Sequence, residues 1–221
     1  MRTGTEEYYR RRALEYDRVY DKPEREADLR ELRPWVASSL AGRRVLEVAA
    51  GTGWWTDSYA DTAAEVTATD VNVATLEVAT SRREWPSSVR FFQADAFDLD
   101  SIPGRFDAAF VGFFWSHVPL EQLDEFLDRL AGRLQHRARV VIIDNRYVEG
   151  SSYPIVRRDL GGDTYQERRL EDGSTWSVLK NFPTPSELRG RLGRVGEGIA
   201  LNELEYYWSA TFRVTHQRGA R

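Results

Sequence analysis

Short runs of apolar residues alternate along the chain with segments in which apolar residues recur at helical spacing. The runs at residues 43–49, 66–70, 89–93, 106–111 and 139–144 predict buried β-strands. Alternating strands and helices are joined by right-handed crossovers, so the pattern predicts an α/β fold with a largely parallel sheet covered on both faces. The intervening helices are predicted at 54–63, at 73–84 and along the stripe of Leu123, Phe126, Leu127, Leu130 and Leu134.

The two ends of the chain depart from this alternation. Residues 5–40 predict two helices ahead of the first strand. The Asp-Gly pair at 172–173 predicts the turn of a hairpin, because glycine adopts positive φ readily. A helix at 185–192 and strands at 199–205 and 207–215 follow, which predicts an antiparallel hairpin at the edge of the parallel sheet.

Composition indicates one globular domain with an added cap. The 221 residues are 41% apolar and 30% charged, and the net charge is −4. This acidic balance disfavours a nucleic-acid partner, since there is no basic field for a phosphate backbone. Nearly all of the positive charge is arginine, which we interpret as a compositional bias.

Several kinds of site and location are disfavoured by what the sequence lacks. It contains no cysteine, and its histidines His117, His136 and His216 stand at no metal-ligand spacing. We therefore expect neither disulfides nor a metal site. The longest apolar run, residues 108–115, is too short to span a bilayer, and residues 1–7 lack an apolar signal core. We expect a cytoplasmic protein without membrane association.

A glycine-rich turn after the first predicted strand is the strongest local signal. Gly51, Thr52 and Gly53 separate that strand from the next helix, and Asp70 follows Gly51 by 19 residues. Glycine lets a ligand approach the backbone, and a carboxylate at this distance suits the ribose of an adenine nucleoside.

Three explanations of this turn are a nicotinamide dinucleotide, S-adenosylmethionine and a tight turn without a ligand. No third glycine follows, and Trp54 and Trp55 leave a pyrophosphate poor access. Glu47 would repel a phosphate dianion but suits a cationic ligand. The pattern favours S-adenosylmethionine, which carries a sulfonium and an ammonium and no phosphate; the other two explanations stay open.

The segment at residues 45–56 resembles motif I of the class I S-adenosylmethionine-dependent methyltransferases, of the small-molecule type. It has the E-x-A-x-G-T-G variant, with Ala49 where many members have the first glycine, and the resemblance extends over residues 43–145. It implies a Rossmann-like, seven-stranded and mostly parallel sheet of order 3-2-1-4-5-7-6, with strand 7 antiparallel, helices on both faces and an N-terminal helical lid. It also implies S-adenosyl-L-methionine as cofactor and S-adenosyl-L-homocysteine as product.

The resemblance further implies roles for individual residues. The backbone of the turn would hold the methionine moiety near Glu47, and Asp70 would bind the ribose. Asp95 would bind the adenine amine with Ala96 beside the ring, and Phe113 would form a wall. The predicted cofactor-binding residues are Tyr16, Glu47, Ala49, Gly51, Thr52, Gly53, Asp70, Val71, Asp95, Ala96 and Phe113.

An aromatic stripe marks the N-terminal segment. Tyr8, Arg12, Tyr16 and Tyr20 recur at every fourth position, with Tyr9 beside them. Such a stripe is either a face packed on the domain or a lid over cofactor and acceptor, and similar helices precede motif I in many small-molecule methyltransferases. A lid would exclude water and hold the reacting atoms in contact. We predict a helical cap or lid at residues 1–40 and the methyltransferase domain at 41–221.

The loop after the fourth strand lies where open α/β sheets bind their ligands. Phe113, Phe114 and Trp115 would form apolar walls, and His117 is either a general base or a cap of the following helix. The loop lacks the Asn/Asp-Pro-Pro-Tyr sequence of adenine amino methyltransferases, and the chain lacks the cysteine of cytosine C5 enzymes. Both absences disfavour a nucleic-acid acceptor.

These observations predict a methyltransferase that acts on a small molecule by in-line transfer, most readily an O-methylation with His117 as the catalytic base. The alternatives are N- or C-methylation, a non-catalytic S-adenosylmethionine-binding partner subunit, and a nicotinamide oxidoreductase; a homodimer also stays open. Aromatic residues between 153 and 208 would form either an acceptor box or edge-strand packing. The predicted substrate-binding residues are Tyr8, Tyr9, Arg12, Trp115, Tyr153 and Trp176.

Overall fold

The computed structural model describes residues 4–215, so residues 1–3 of the predicted cap and His216 lie outside the described residues. A twisted sheet forms its centre, and a smaller sheet lies beside it. The strands are β1 (Arg44–Val48), β2 (Glu65–Asp70), β3 (Val89–Gln93), β4 (Phe106–Gly112), β5 (Leu134–Asn145), β6 (Ile155–Arg158), β7 (Thr164–Arg169), β8 (Thr175–Leu179), β9 (Gly196–Glu203) and β10 (Tyr207–Val214). The α-helices are α1 (Gly4–Arg12), α2 (Glu26–Leu40), α3 (Thr56–Tyr59), α4 (Val73–Ser81), α5 (Leu123–Arg133) and α6 (Pro185–Val195).

The large sheet has seven strands in the order β3-β2-β1-β4-β5-β10-β9. The first five pair in parallel, whereas β10 runs antiparallel to both β5 and β9. The predicted fold class and strand order are therefore confirmed. β5 begins five residues earlier than its apolar run, at Leu134, and Arg137 in this extension has a φ of 61°. The sequence pattern missed this start because residues 135–137 are polar and exposed.

Both faces of the large sheet are buried, as the near-continuous apolar strands require. On one face Leu46 and Val48 join a core with Phe126 of α5 and Leu192 of α6. On the other face Val45 packs in a second core that includes four buried residues of α2, namely Leu29, Leu32, Val36 and Leu40. None of the helices within residues 4–215 has the length and apolarity needed to cross a membrane.

The N-terminal segment is less regular than its stripe predicts. α1 ends at Arg12, and a 3₁₀ helix continues over Ala13–Tyr20. Because a 3₁₀ helix has about three residues per turn, a spacing of four does not stay on one face. Tyr8 packs against the small sheet, whereas Tyr9, Tyr16 and Tyr20 form a chain of edge-to-face rings with centroids 5.5 and 6.1 Å apart.

The predicted hairpin belongs to the small sheet, of order β6-β7-β8. All its pairings are antiparallel, and Gly173 at the turn has a φ of 84°. Its residues Leu170 and Val178 form a buried cluster with Tyr8. The small sheet therefore holds α1 beside the edge of the large sheet where its parallel strands have their carboxyl ends.

A carboxylic acid lies in the middle of β1. Glu47 is 1% exposed, and its Oε2 accepts hydrogen bonds from the hydroxyls of Tyr59 at 2.6 Å and Thr56 at 2.7 Å. Burial raises the pKa of Glu47 to about 7, although these two hydrogen bonds act in the opposite direction. Between about pH 4.5 and pH 7 the folded chain therefore binds a proton here that the unfolded chain does not.

Replacing Glu47 by Gln removes this titration, and the amide oxygen can keep both hydrogen bonds. A raised folded-state pKa contributes stability that is present below the unfolded value and is lost as pH rises through about 7. We expect the variant to gain roughly 2–3 kcal/mol on the wild type between pH 4.5 and pH 8. Urea unfolding of both proteins at the two pH values measures this gain. Glu125→Gln, an exposed change on α5, is the control, and an equal pH dependence of Glu47→Gln and wild type would contradict the prediction.

Candidate functional site

The carboxyl ends of the first four strands open into a cavity of about 270 Å³, here called the motif cleft. Gly51 follows β1, Asp70 ends β2, Asp95 follows β3 and Phe113 follows β4. Parallel strands bring their carboxyl ends to one edge of a sheet, so residues distant in sequence meet there. Of the predicted cofactor residues, those that line the cleft are Tyr16, Ala49, Gly51, Asp70, Val71, Asp95, Ala96 and Phe113.

Left-handed backbone conformations shape the turn after β1. Ala49, Gly51 and Gly53 have φ values of 56°, 58° and 72°. Only glycine adopts this region without a steric penalty, so Ala49 holds its conformation at some cost in energy. A Cβ added to Gly51 would meet no atom within 4 Å, so the backbone there is open to the cleft.

Asp70 holds this turn in place. One of its carboxylate oxygens accepts from the backbone N–H of Gly51 and the other from that of Asn72, both at 2.8 Å. Burial raises the pKa of Asp70, and these backbone hydrogen bonds oppose the rise. Each carboxylate oxygen keeps a further lone pair, so the side chain can still accept a hydrogen bond from a ligand hydroxyl.

Three predicted cofactor residues lie behind the turn and do not line the motif cleft. Glu47 accepts the two buried hydrogen bonds described above. Thr52 is 1% exposed and donates its hydroxyl to Asp17, and a Cβ on Gly53 would approach that of Ala79 to 3.1 Å. Four further polar residues line the cleft without belonging to any motif in the sequence: Glu6, Asn72, Thr75 and Gln122.

A second cavity of about 270 Å³ lies between the N-terminal segment and the small sheet; we call it the basic cleft. Its cationic lining consists of Arg12, Arg18, Lys22, Arg25, Arg168 and Lys180. Lys22 and Lys180 are the only lysines in the sequence, and both line this cavity. The compositional bias inferred from the scarcity of lysine does not account for this common position.

The two clefts share a junction. Tyr9, Tyr16, Phe113 and His117 line both of them. His117 lies in a short 3₁₀ turn, Trp115–His117, between β4 and α5. Each of these four side chains therefore borders both cavities.

His117 has a defined tautomer in this junction. Its Nδ1 lies 2.7 Å from the carbonyl oxygen of Leu179, and because a carbonyl only accepts, Nδ1 carries the proton. Nε2 then accepts from the hydroxyl of Tyr9 at 2.8 Å, and Tyr9 in turn accepts from Arg168 at 3.1 Å. Burial, with the positive charges of Lys180 and Arg168, holds the pKa of His117 well below its usual value, so the ring is neutral near pH 7.

Three of the six predicted substrate residues line the basic cleft, and three do not. Tyr9, Arg12 and Tyr153 line the basic cleft. The other three lie outside both clefts, because their rings are used in packing or local contacts. Tyr8 packs in the cluster with Leu170 and Val178, Trp115 is buried edge-to-face against Trp208, and the indole N–H of Trp176 donates to Ser174.

The motif cleft fits S-adenosylmethionine in charge as well as in position. Glu6, Asp70 and Asp95 give it three carboxylates, and no lysine or arginine is among the described residues that line it. This charge suits a nucleoside with a cationic sulfur and no phosphate. Among residues 4–215 no cluster of three or more metal-binding side chains is found.

Known proteins resemble this chain over its central segment. A family model described as "Methyltransferase domain" matches residues 45–137. Demethylmenaquinone methyltransferase of Clavibacter sepedonicus is 35% identical over 130 residues, which are 58% of this chain and 49% of that protein. The same enzyme of Paenarthrobacter aurescens is 35% identical over 88 residues, or 39% of this chain and 34% of that protein. The matched segment thus spans about half, or less, of the length of these curated relatives.

Solved structures resemble it over nearly its whole length. A DhpI–SAH complex superposes with a TM-score of 0.79 at 27% identity and covers 97% of both chains. A DhpI–SAM–HEP complex has a TM-score of 0.76 at 30% identity and covers 94% of both chains. The strand order, the motif cleft and these similarities agree with the resemblance seen in the sequence, and S-adenosyl-L-methionine is the cofactor that they support. The chain belongs to the class I S-adenosylmethionine-dependent methyltransferases.

Proposed function

We propose that this chain methylates an oxygen of a small molecule, with S-adenosylmethionine in the motif cleft and the acceptor in the basic cleft. The observation that carries the proposal is the junction of the two clefts at Tyr9, Tyr16, Phe113 and His117. The HEP named in the DhpI complex together with SAM supports a second ligand beside the cofactor in this fold.

Several residues would hold the cofactor in this arrangement. When bound, S-adenosylmethionine supplies a methyl group on a cationic sulfur. Asp70 would accept hydrogen bonds from the ribose, and Asp95 at the far end of the cleft would accept from the adenine amine. The open backbone at Gly51 and the carboxylate of Glu6 would face the amino-acid portion, since both lie on the cleft wall.

The N-terminal segment would act as the predicted lid. Tyr9 and Tyr16 place two aromatic rings over the junction, where they exclude water from the transfer. Asp17 of the same segment accepts from Thr52 and from Arg82, which fastens the segment to the turn after β1 and to the residue following α4. Positioning of the two ligands at contact would supply most of the rate acceleration.

His117 would position Tyr9 in this site. The sequence predicts His117 as a base, but its Nε2 lone pair accepts the Tyr9 hydroxyl. It could remove a proton from a hydroxyl acceptor only after Tyr9 turns away. The geometry therefore supports a His117 that fixes the Tyr9 ring at the junction, and an acceptor that needs no base.

Nitrogen-15 NMR of histidine-labelled protein tests this role without an acceptor. We expect His117 to be neutral at pH 6.5, where a free histidine is half protonated, with the proton on Nδ1, because burial and two cations lower its pKa. Tyr9→Phe should change the Nε2 chemical shift, since it removes the hydrogen bond to that atom. A His117 that gains its proton near pH 6.5, or a signal unchanged in Tyr9→Phe, would contradict the assigned role.

Gly51→Leu tests the placement of the cofactor. The new side chain would extend from the cleft wall into the space assigned to the cofactor, so we expect the affinity for S-adenosylhomocysteine to fall about tenfold or more by calorimetry. Gly42→Leu is the matched control, because Gly42 also has a positive φ and open space around it but lies outside both clefts. Equal affinities of the two variants would exclude the proposed cofactor site.

A further inference from the structure

Charge is divided sharply between the two clefts. The described lining of the motif cleft includes three carboxylates and neither lysine nor arginine. The described lining of the basic cleft includes six lysine and arginine side chains and neither aspartate nor glutamate. A cationic methyl donor and an anionic partner would each meet the opposite charge.

Some cations of the basic cleft already have a carboxylate partner. Lys180 lies 3.1 Å from Asp144, Arg18 pairs with Glu171, and Lys22 lies 4.0 Å from Glu24. Within residues 4–215, by contrast, no carboxylate lies within 4 Å of the guanidinium groups of Arg12, Arg25 and Arg168. None of these three arginines therefore has a direct ion pair within the described residues, and Arg25 reaches the carboxylate of Glu24 only through the hydroxyl of Ser151.

Arg25 and Arg168 are also buried, at 8% and 9% exposure. Arg25 donates to Ser151 and to the side-chain oxygen of Asn145, all neutral acceptors. Arg168 donates to Tyr9 and Gln166, and its Nε has no hydrogen-bond partner among the described residues. Burial of a guanidinium beside neutral groups alone is unfavourable, and a bound oxyanion would offset that cost.

Building on the proposed function, we infer that the methyl acceptor is a small organic oxyanion, of the carboxylate or phosphate type, bound by Arg12, Arg25 and Arg168. The planar fork of a guanidinium matches two oxygens of such a group. A cavity of about 270 Å³ has room for a small metabolite.

This acceptor class also agrees with the occupied lone pair of His117. An acceptor oxygen that is already anionic forms its bond to the methyl carbon as the bond from that carbon to sulfur breaks. Sulfur keeps the electron pair and becomes neutral, and the product is a methyl ester. No proton is removed, so Tyr9 can remain hydrogen-bonded to Nε2 of His117 throughout.

Binding of simple anions tests the cleft separately from the cofactor site. Inorganic phosphate and acetate, each compared with sodium chloride at equal ionic strength, are the probes of the two oxyanion types. We expect at least one of them to raise the thermal midpoint of the full chain by about 3–6 °C at ten times its dissociation constant. Arg168→Gln and Arg12→Gln should each reduce this shift by more than half, and Arg30→Gln, an exposed change on α2, should leave it intact.

Calorimetry with S-adenosylhomocysteine on the same variants shows whether the fold and the motif cleft survive the changes. A variant that keeps its affinity for S-adenosylhomocysteine but loses the rise of the thermal midpoint with the anion supports the inference. A shift that sodium chloride reproduces, or that Arg168→Gln and Arg12→Gln both keep, would overturn it. Absent S-adenosylhomocysteine binding in the wild type would instead count against the proposed function and leave the anion result to stand by itself.

Turnover with labelled S-adenosylmethionine then tests the acceptor class. The panel contains small carboxylates, phosphate monoesters, neutral alcohols of equal size and demethylmenaquinone, and mass spectrometry identifies the methylated product. We expect methyl esters from one oxyanion class at rates at least about tenfold above the matched neutral alcohols. Equal or faster methylation of a neutral acceptor would refute the inference.

Discussion

The carboxylate of Asp70 is the constraint on which the shape of the motif cleft depends. It joins the turn after β1 to the end of β2 through the backbone amides of Gly51 and Asn72. The turn needs such a restraint, because Ala49, Gly51 and Gly53 all have left-handed conformations that cost conformational entropy to hold. One side chain thus fixes the loop geometry and also forms part of the cleft that the loop borders.

A second set of contacts joins the motif cleft to the basic cleft. The chain from Arg168 through Tyr9 and His117 to the carbonyl of Leu179 connects the small sheet, α1 and the loop after β4. These three parts of the chain surround the junction of the clefts, so the position of Tyr9 depends on all of them. The small sheet is therefore part of the site architecture, since it supplies Arg168 and packs against Tyr8 of α1.

The residues missed or misplaced by sequence patterns have a common physical explanation. Aromatic side chains serve equally in cores and in ligand sites, so Tyr8, Trp115 and Trp176 could not be distinguished from Tyr153 before their packing was known. Arginine is ordinarily a solvated surface residue, so nothing in the sequence marked Arg25 or Arg168 as buried.

The sequence by itself determined the strands and their crossovers, because period-two and helical patterns depend only on residues close together in the chain. It also determined most of the motif cleft, because the carboxyl ends of parallel strands all lie at one edge of the sheet. It also determined Gly51 and Asp70, whose spacing reflects a single strand-turn-helix-strand unit. Only the tertiary structure decided the basic cleft. Its cations lie at positions 12 to 25 and 168 to 180, far apart in the sequence. Whether each of them is paired depends on the carboxylates that lie near it in the folded chain. The neutral, hydrogen-bonded state of His117 was decided in the same way, since its desolvation and its partner Tyr9 exist only in the folded chain.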